Sequence, residues 1–317
     1  MTRTTWRRLL WRLAGVLGGA VLLLWAAATL AFVALRLVPG DPVAVMLGPQ
    51  AQVSQEVKDA LRIELGLDRP LGEQYLSYLG GLLRGDLGES FQLRMPVVEV
   101  IGRQAAPTLQ LTALALLFAL LLVALGVLLA RGPRRRRALA TVGLVVLAAP
   151  VFGVGLVLLA VFAFGLGWFP VAGSRGFVAL ILPALTLALP CAALIGQVLH
   201  DGLAEANRQP FALTARARGA GPERVLLRHT LRHASIGTLT LSAYLVGSLL
   251  GGAVLVETVF ARPGLGRVAL TAILDRDLPV VAGIILLSAA VFAVVNLLVD
   301  LTSPILDPRL RQSGVLR

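Results

Sequence analysis

Hydrophobic and polar positions alternate along this chain on the scale of whole segments. Six apolar runs, at residues 13–35, 107–130, 139–164, 177–199, 236–260 and 279–303, are separated by shorter polar or glycine- and proline-rich stretches. Each run reaches the ~20 residues that a spanning helix needs, so the pattern predicts an all-α membrane protein with six transmembrane helices. Pro150 lies inside the third run, where it predicts a kink that neighbouring helices tolerate. The chain divides into residues 1–106, a first membrane helix plus an external helical segment, and residues 107–317, a five-helix core.

Two segments interrupt this pattern. Residues 40–106 read as ordinary soluble sequence, with Asp41, Glu56, Asp59, Glu64, Asp68, Glu73, Asp86, Glu89 and Glu99 outnumbering the bases. Ser54 caps a helix expected over 54–65, with Val57, Leu61 and Leu65 at helical spacing, and a second helix is expected over 71–83. Its tyrosines either pack this small subdomain or touch substrate or a docking protein. The other segment, 205–235, carries Arg208, Arg216, Arg218, Arg224, Arg228 and Arg232 against Glu205 and Glu223. By the positive-inside rule it faces the cytoplasm. Thr214 to Arg218 reads as the end of a short helix, Gly219, Ala220 and Gly221 as a break, and Pro222 as the start of a second helix. The result is a compact knob.

The same rule orients the rest. Arg131 and Arg134, Arg135, Arg136 and Arg137 mark a cytoplasmic turn, residues 165–176 an external one, and both termini lie in the cytoplasm. A basic head of Arg3, Arg7, Arg8 and Arg12 before an apolar run also opens a secretory signal. The run is long for a signal core, and residues 38–42 offer no small-residue cleavage site, so it reads as a retained anchor ending at the Pro/Gly cluster.

Composition agrees with lipid as the solvent: 57% of residues are hydrophobic and 15% charged, and mean hydropathy is +0.84. The formal charge of +12 gathers at the ends of the apolar runs, which is the signature of topology and not of nucleic-acid binding. Cys191 stands alone in an apolar run, so no disulfide framework is available. The sole lysine, Lys58, follows Val57 and not a glycine-rich loop, so no Walker-type ATP site exists here. No HExxH, no GxSxG in a strand-to-helix context and no paired intramembrane carboxylates occur. His200, His229 and His233 all fall on the cytoplasmic side and read as structural. The sequence therefore presents no catalytic residue, no metal site and no cofactor of its own.

A few residues remain as candidates. A carboxylate near a span end is functional by default, which selects Glu257; an ion pair with Arg262 holding the external loop competes. Ser248, Gly251 and Gly252 either line a pathway or let helices approach closely. Asp275, Arg276 and Asp277 precede the sixth span, where Asp277 either caps a helix or meets an external protein.

Four stretches carry a resemblance that runs through nearly the whole chain in order: VPGDPV at 38–43, TARARGAGPERVLLRHTLRHA at 214–234, GGAVLVETVFARPGLG at 251–266 and NLLVDLTSPILDPRLR at 296–311. Together they resemble the permease subunits of binding-protein-dependent ABC importers, in the dipeptide, oligopeptide and nickel group. Residues 65–90 resemble that family's first external loop. The resemblance implies that 205–235 is the cytoplasmic coupling ("EAA") loop. Thr214, Ala215, Arg216, Ala217, Arg218, Gly219, Ala220, Gly221 and Pro222 would then dock on an ATPase subunit. Leu213 stands where the generic motif has glutamate, and Gly237 where relatives usually have proline. Ser248, Gly251, Gly252 and Glu257 stand as candidates for a pathway or external gate, and Arg262, Pro263, Asp275, Arg276 and Asp277 as candidates for docking an external binding protein. The implied partners are a homologous second permease subunit, two ATPase subunits holding ATP and Mg, a substrate-binding protein and the bilayer. Peptides, nickel and chelated metals all remain open as cargo. A gated channel or ion-driven carrier would work without ATPase partners, whereas a membrane enzyme would need convergent acids, bases or metal ligands on the spans.

Overall fold

The computed structural model describes residues 3–37, 42–47, 54–64, 66–130, 132–173 and 176–306. Among them the regular structure is helical, with one isolated bridge between Glu89 and Pro96 and no β-strand. In chain order the helices are α1 (Arg3–Leu37), α2 (Pro42–Leu47), α3 (Gln55–Glu64), α4 (Leu71–Leu83), α5 (Val97–Leu129), α6 (Pro133–Ala148) and α7 (Val151–Leu158). They continue with α8 (Val178–Arg208), α9 (Pro210–Ala217), α10 (Pro222–Val225), α11 (Leu231–Val259), α12 (Leu265–Leu274) and α13 (Leu278–Leu306). The motif at 38–43 enters the described residues only at Pro42, and the C-terminal motif leaves them after Leu306.

Four helical segments are long and apolar enough to cross a membrane: Ala14–Ala34, Val97–Leu129, Val178–Arg208 and Leu278–Leu298. The expected third span is different. It is broken into Arg134–Ala148 and Val151–Gly165, set 109° apart. A proline disfavours the α region for the preceding residue, and Ala149, before Pro150, is extended at ψ 136°. What reads as a kink is a full break, and the second half winds into a π-helical turn at Leu159–Gly165. The four arginines of the expected turn, Arg134 to Arg137, instead form the first turn of α6 behind Pro133. The expected fifth span falls on α11, where the side chains of residues 236, 239, 240 and 243 lie outside the described set; its described apolar stretch is Tyr244–Val259.

The chain forms two compact units. One comprises residues 1–107 and 264–293. Here the C-terminal part of α1 packs on α4: the Thr29 and Tyr75 hydroxyls share a hydrogen bond of 2.7 Å, and the Phe32 ring lies 5.3 Å from Tyr75 and 5.6 Å from Tyr78. Arg36 lies over Phe32 and donates to the Gln74 side chain. Tyr75 and Tyr78 of the 40–106 segment thus pack against the first helix. A second cluster joins Val97, Val100 and Ile101 of α5 to Leu265 and Ala272 of α12 and to Val280 and Ile284 of α13. Its tightest point is Gly283, where a Cβ would lie 2.6 Å from Val97 Cγ1 and 2.8 Å from Ile101 Cδ1.

The other unit comprises residues 108–263 and 294–317. Its core draws Leu111, Ala115, Ala119 and Val123 from α5, a stripe at four-residue spacing, against Leu187, Ala188, Cys191 and Ile195 of α8 and Leu245, Leu249, Ala253 and Val256 of α11. Lipid removes the hydrophobic drive for helices to associate, so close approach through small residues takes over. Three positions along the antiparallel α8 and α11 show this. A Cβ on Gly202 would lie 3.1 Å from Ala234 Cβ, one on Gly237 3.9 Å from Val198 Cγ1, and one on Gly252 3.1 Å from Leu187 Cδ2.

Candidate functional site

The arginine-rich segment grows out of the C-terminal end of α8. That helix runs to Arg208, nine residues past the end expected of the fourth span at 199. Gln209 is then extended at ψ 149°, the conformation favoured before a proline, and Pro210 opens α9. Helix α9 ends in a complete Schellman turn. Gly219 adopts φ +80°, its N–H donates to the Arg216 carbonyl at 2.9 Å, and the Ala220 N–H donates to the Ala215 carbonyl at 3.0 Å. Only glycine enters this region without strain, so Gly219 sets the turn. Gly221 is extended again before Pro222, which opens α10. A π-helical turn at Leu226–Thr230 then carries the chain into α11, with the buried Thr230 hydroxyl donating toward the Val225 and Leu226 carbonyls at 3.4 and 3.3 Å.

This hairpin of helices has distinct inner and outer faces. Ala206, Ala212, Val225, Thr230 and Ala234 are buried and small, and the close approach of Gly202 to Ala234 closes the base. Arg216 donates to the Asn207 side chain at 2.8 Å, tying α9 back to α8, and the Phe211 ring lies 5.7 Å from that of His233, tilted by 59°. Thr214, Arg216, Ala217, Arg218, Gly219, Gly221, Pro222 and Arg224 are exposed, while Ala215 and Ala220 are half-buried. A Cβ on Gly219 or Gly221 would meet nothing within 4 Å. The apex is therefore narrow, basic and open, with Leu213 and Leu227 exposed beside it at 56% and 63%.

Glu257 sits in the same unit, fully buried near the end of α11. It accepts a 2.6 Å hydrogen bond from the Thr108 hydroxyl on α5, and its carbonyl accepts the Arg262 N–H at 2.7 Å. Arg262 is only 4% exposed; burial lowers its pKa from the ordinary value and the Glu257 charge opposes that shift. A buried carboxylate needs such neighbours, because an uncompensated one is strongly destabilising. This is the arrangement of a structural tie. Of the neighbouring candidates, Ser248 and Gly251 are exposed on α11, while Gly252 packs on Leu187.

The residues expected to receive an external protein separate into two groups. Arg262 and Asp277 are buried, at 4% and 3%, so they present no surface to a partner. The Asp277 carboxylate instead accepts the Ser90 hydroxyl, the Phe91 N–H at 3.1 Å and the Gln92 N–H at 3.3 Å. Asp275 and Arg276 are exposed and Pro263 is half-buried. Sequence reasoning passed over Thr108, Ser90 and Gly202, which are unremarked polar or small residues until folding brings their partners to them. Among the described residues no three His, Cys, Asp or Glu side chains gather as metal ligands would.

Comparison with known proteins places this architecture. Residues 122–312 match the family described as "Binding-protein-dependent transport system inner membrane component", and residues 7–112 match its N-terminal companion. The chain belongs to this family. It is thus an inner-membrane permease component of a binding-protein-dependent transport system. A probable peptide ABC transporter permease protein of Sinorhizobium fredii is 36% identical, over 88% of this chain and 92% of its own length. The di/tripeptide transport system permease protein of Pseudomonas aeruginosa is 37% identical over 89% and 93%, and the glutathione transport system permease protein of Escherichia coli 34% over 92% and 96%. Among solved structures, the crystal structure of an amino acid ABC transporter with histidines matches with a TM-score of 0.51 at 16% identity, over 64% of this chain and 92% of that one, which shows a shared fold.

Proposed function

We propose that this permease imports peptides across the inner membrane by alternating access, driven by ATP hydrolysed on separate subunits. The observation that carries the reading is the α9–α10 apex: narrow, arginine-bearing, open on its outer side and pinned at its base by Gly202 and Ala234. Such a shape seats in a groove of a partner domain. In this reading Thr214 to Pro222 contact an ATPase subunit, and a homologous second permease subunit completes a heterodimer served by two ATPases, which hold ATP and Mg. A soluble binding protein delivers the solute from outside. Closure of the ATPases shifts the permease pair between outward and inward access, which requires that the two ATPase states differ in their free energy of interaction with the two permease conformations.

Six spans with both termini in the cytoplasm complete this picture, the α6–α7 pair and α11 supplying the third and fifth. The division at residues 106 and 107 separates the first helix and external segment from the core. Ser248 and Gly251, exposed on one side of α11, are the pathway candidates. Thr108 and Glu257 hold α5 to α11 beside them. The relatives' names favour peptide cargo over the nickel and metal-chelate alternatives.

The test is purification of the complex and its reconstitution in vesicles. Two ATPase subunits should co-purify, and uptake of a labelled dipeptide should require both ATP and the binding protein. Uptake by this chain alone would show a channel or carrier instead, and competition by a nickel chelate but not by peptides would reassign the cargo.

A further inference from the structure

Residues 40–106 read as soluble sequence, yet one of their helices is held at membrane depth. Thr29 and Phe32 lie inside Ala14–Ala34, a stretch long and apolar enough to cross a membrane. The Thr29 hydroxyl shares its 2.7 Å hydrogen bond with the Tyr75 hydroxyl of α4, and the Phe32 ring lies 5.3 Å from Tyr75 and 5.6 Å from Tyr78. At 1.5 Å of rise per residue, Thr29 stands about 7 Å inside the end of that stretch. The Tyr75 ring therefore reaches the acyl region, and α4 lies at its margin. Closer to the end of α1, Arg36 lies over Phe32 and donates to the Gln74 side chain, which sets a charge at the boundary itself.

The make-up of α4 suits that place. Glu73, in the first turn, is the one charged residue of Leu71–Leu83. Leu76 and Leu83 share a face at seven-residue spacing and are 68% and 90% exposed, and Leu71 is 63% exposed. Arg69, next to the N-cap Pro70, and Arg84, at the C-cap, are both exposed, with Asp68 and Asp86 exposed nearby. Charge at both ends keeps both ends out of hydrocarbon. The ring and hydrogen-bond contacts to α1 come from one turn, residues 74–78, so α4 crosses α1 and lies along the boundary. Depth and direction decide what covers the leucines. A water-soluble protein does not enter the acyl region. An upright helix of a second permease subunit is about 10 Å across, whereas Leu71, Leu76 and Leu83 span about 18 Å of α4, so it would leave part of the face to lipid. An amphipathic helix lying in the interface plane buries its apolar face about 5–10 Å into the headgroup and acyl boundary, which is the depth that Thr29 and Phe32 mark.

We infer that α4 is an interfacial helix whose Leu76 and Leu83 face is embedded in the phospholipid of one leaflet, held there by Tyr75 and Tyr78 on α1. That the leaflet is the outer one rests on the proposed topology with both termini in the cytoplasm; the immersion of α4 does not. The native Cys191 is buried, so a cysteine placed on α4 can be labelled selectively. The complex with its co-purified ATPases is reconstituted in vesicles of phosphatidylcholine and phosphatidylglycerol, with a nitroxide on Leu76→Cys or Leu83→Cys. Oxygen, which concentrates in the acyl region, should collide with both labels in preference to a water-soluble nickel chelate. The ratio of the two collision rates should exceed several-fold that of a label on Glu56→Cys, exposed on α3. Preference for the chelate at both sites, which marks a face in water or under a soluble protein, overturns the inference. Exclusion of both colliders from both sites, which marks cover by a second permease subunit, overturns it as well.

A second measurement needs no substitution. A phospholipid with a photoactivatable acyl chain, in vesicles bearing the unmodified complex, should label the tryptic peptide Ile63–Arg84, which stays uncut at Arg69 because proline follows. Labelling of the peptide that carries Ala14–Ala34 without labelling of Ile63–Arg84 overturns the immersion. Sidedness is read separately: in intact cells a membrane-impermeant thiol reagent should react with Glu56→Cys from outside. Failure of that reaction overturns the topology and the choice of leaflet, whereas failure of the collision test overturns the immersion alone.

Discussion

The turn at Gly219 offers the sharpest way to separate folding from coupling. Its φ of +80° places an L-residue in the left-handed region, at a cost of roughly 1–2 kcal/mol, more for a β-branched side chain. A Cβ there would meet nothing within 4 Å, so the backbone strain is the main cost of the substitution. If the turn rearranges to relieve the strain, the two Schellman hydrogen bonds are lost, at about 0.5–1.5 kcal/mol each. Either way the damage stays at the apex, because the base is closed elsewhere by Gly202 and Ala234. Gly219→Val should therefore insert normally and unfold within a few degrees of the unmodified chain. In vesicles, ATP hydrolysis stimulated by the binding protein, and the uptake it drives, should be nearly abolished. Gly219→Asn provides the contrast, since asparagine tolerates the left-handed backbone and adds only its amide at the apex; it should keep intermediate coupling. The measurements are ATP consumed per peptide transported, together with thermal unfolding of the same preparation. Unchanged coupling in Gly219→Val would refute the apex as the contact. A collapse in stability would refute the claim that the turn is free of neighbours.

Three further outcomes follow from the packing. Gly202→Val adds bulk where a Cβ would lie 3.1 Å from Ala234 Cβ; overpacking of ~1–3 kcal/mol should outweigh the gain of ~0.5 kcal/mol from replacing a helical glycine by valine, and the melting temperature should fall. Thr108→Val removes the 2.6 Å donor to a fully buried Glu257 and should destabilise by about 1–3 kcal/mol, with Thr108→Ser close to neutral; equal melting temperatures for the two variants would deny the bond any importance. Gly283→Ala puts a methyl 2.6 Å from Val97 Cγ1, and Val97→Ala in the same chain should recover part of the loss, which a double-mutant cycle by thermal unfolding would show.

The parts legible in the sequence are those governed by neighbours along the chain. The break at Gly219 to Pro222 follows from one glycine that needs a positive φ and one proline that bends the residue before it, and the helices flanking it end and begin there. The same proline rule was ambiguous at Pro150. Pro107, Pro183 and Pro190 lie inside continuous helices, while Pro150 parts two helices by 109°. Nothing in the local residues distinguishes them, because what holds a helix together across a proline is the packing around it. Contacts between distant segments were beyond reach for a related reason. Asp277 looks like a surface acid or a cap until it meets Ser90, 187 residues away, and Glu257 looks like a partner for Arg262 until Thr108 arrives from 149 residues away. Glu257 stands out as a carboxylate near a span end and Asp277 by its place before the sixth span; the bonds each makes depend on polar residues that carry no signal of their own.

The pinch between Gly202 and Ala234 has an evolutionary corollary. Because the chain enters and leaves the basic hairpin at one point, everything between these two residues behaves as a cartridge plugged into the α8–α11 pair. Under the proposed coupling role, its tip could be rewritten to match a different ATPase without disturbing the packing of α8 on α11, provided the two small residues at the base are kept. Under that role, the sequence of the hairpin and the sequence of the spans are free to change separately within one polypeptide.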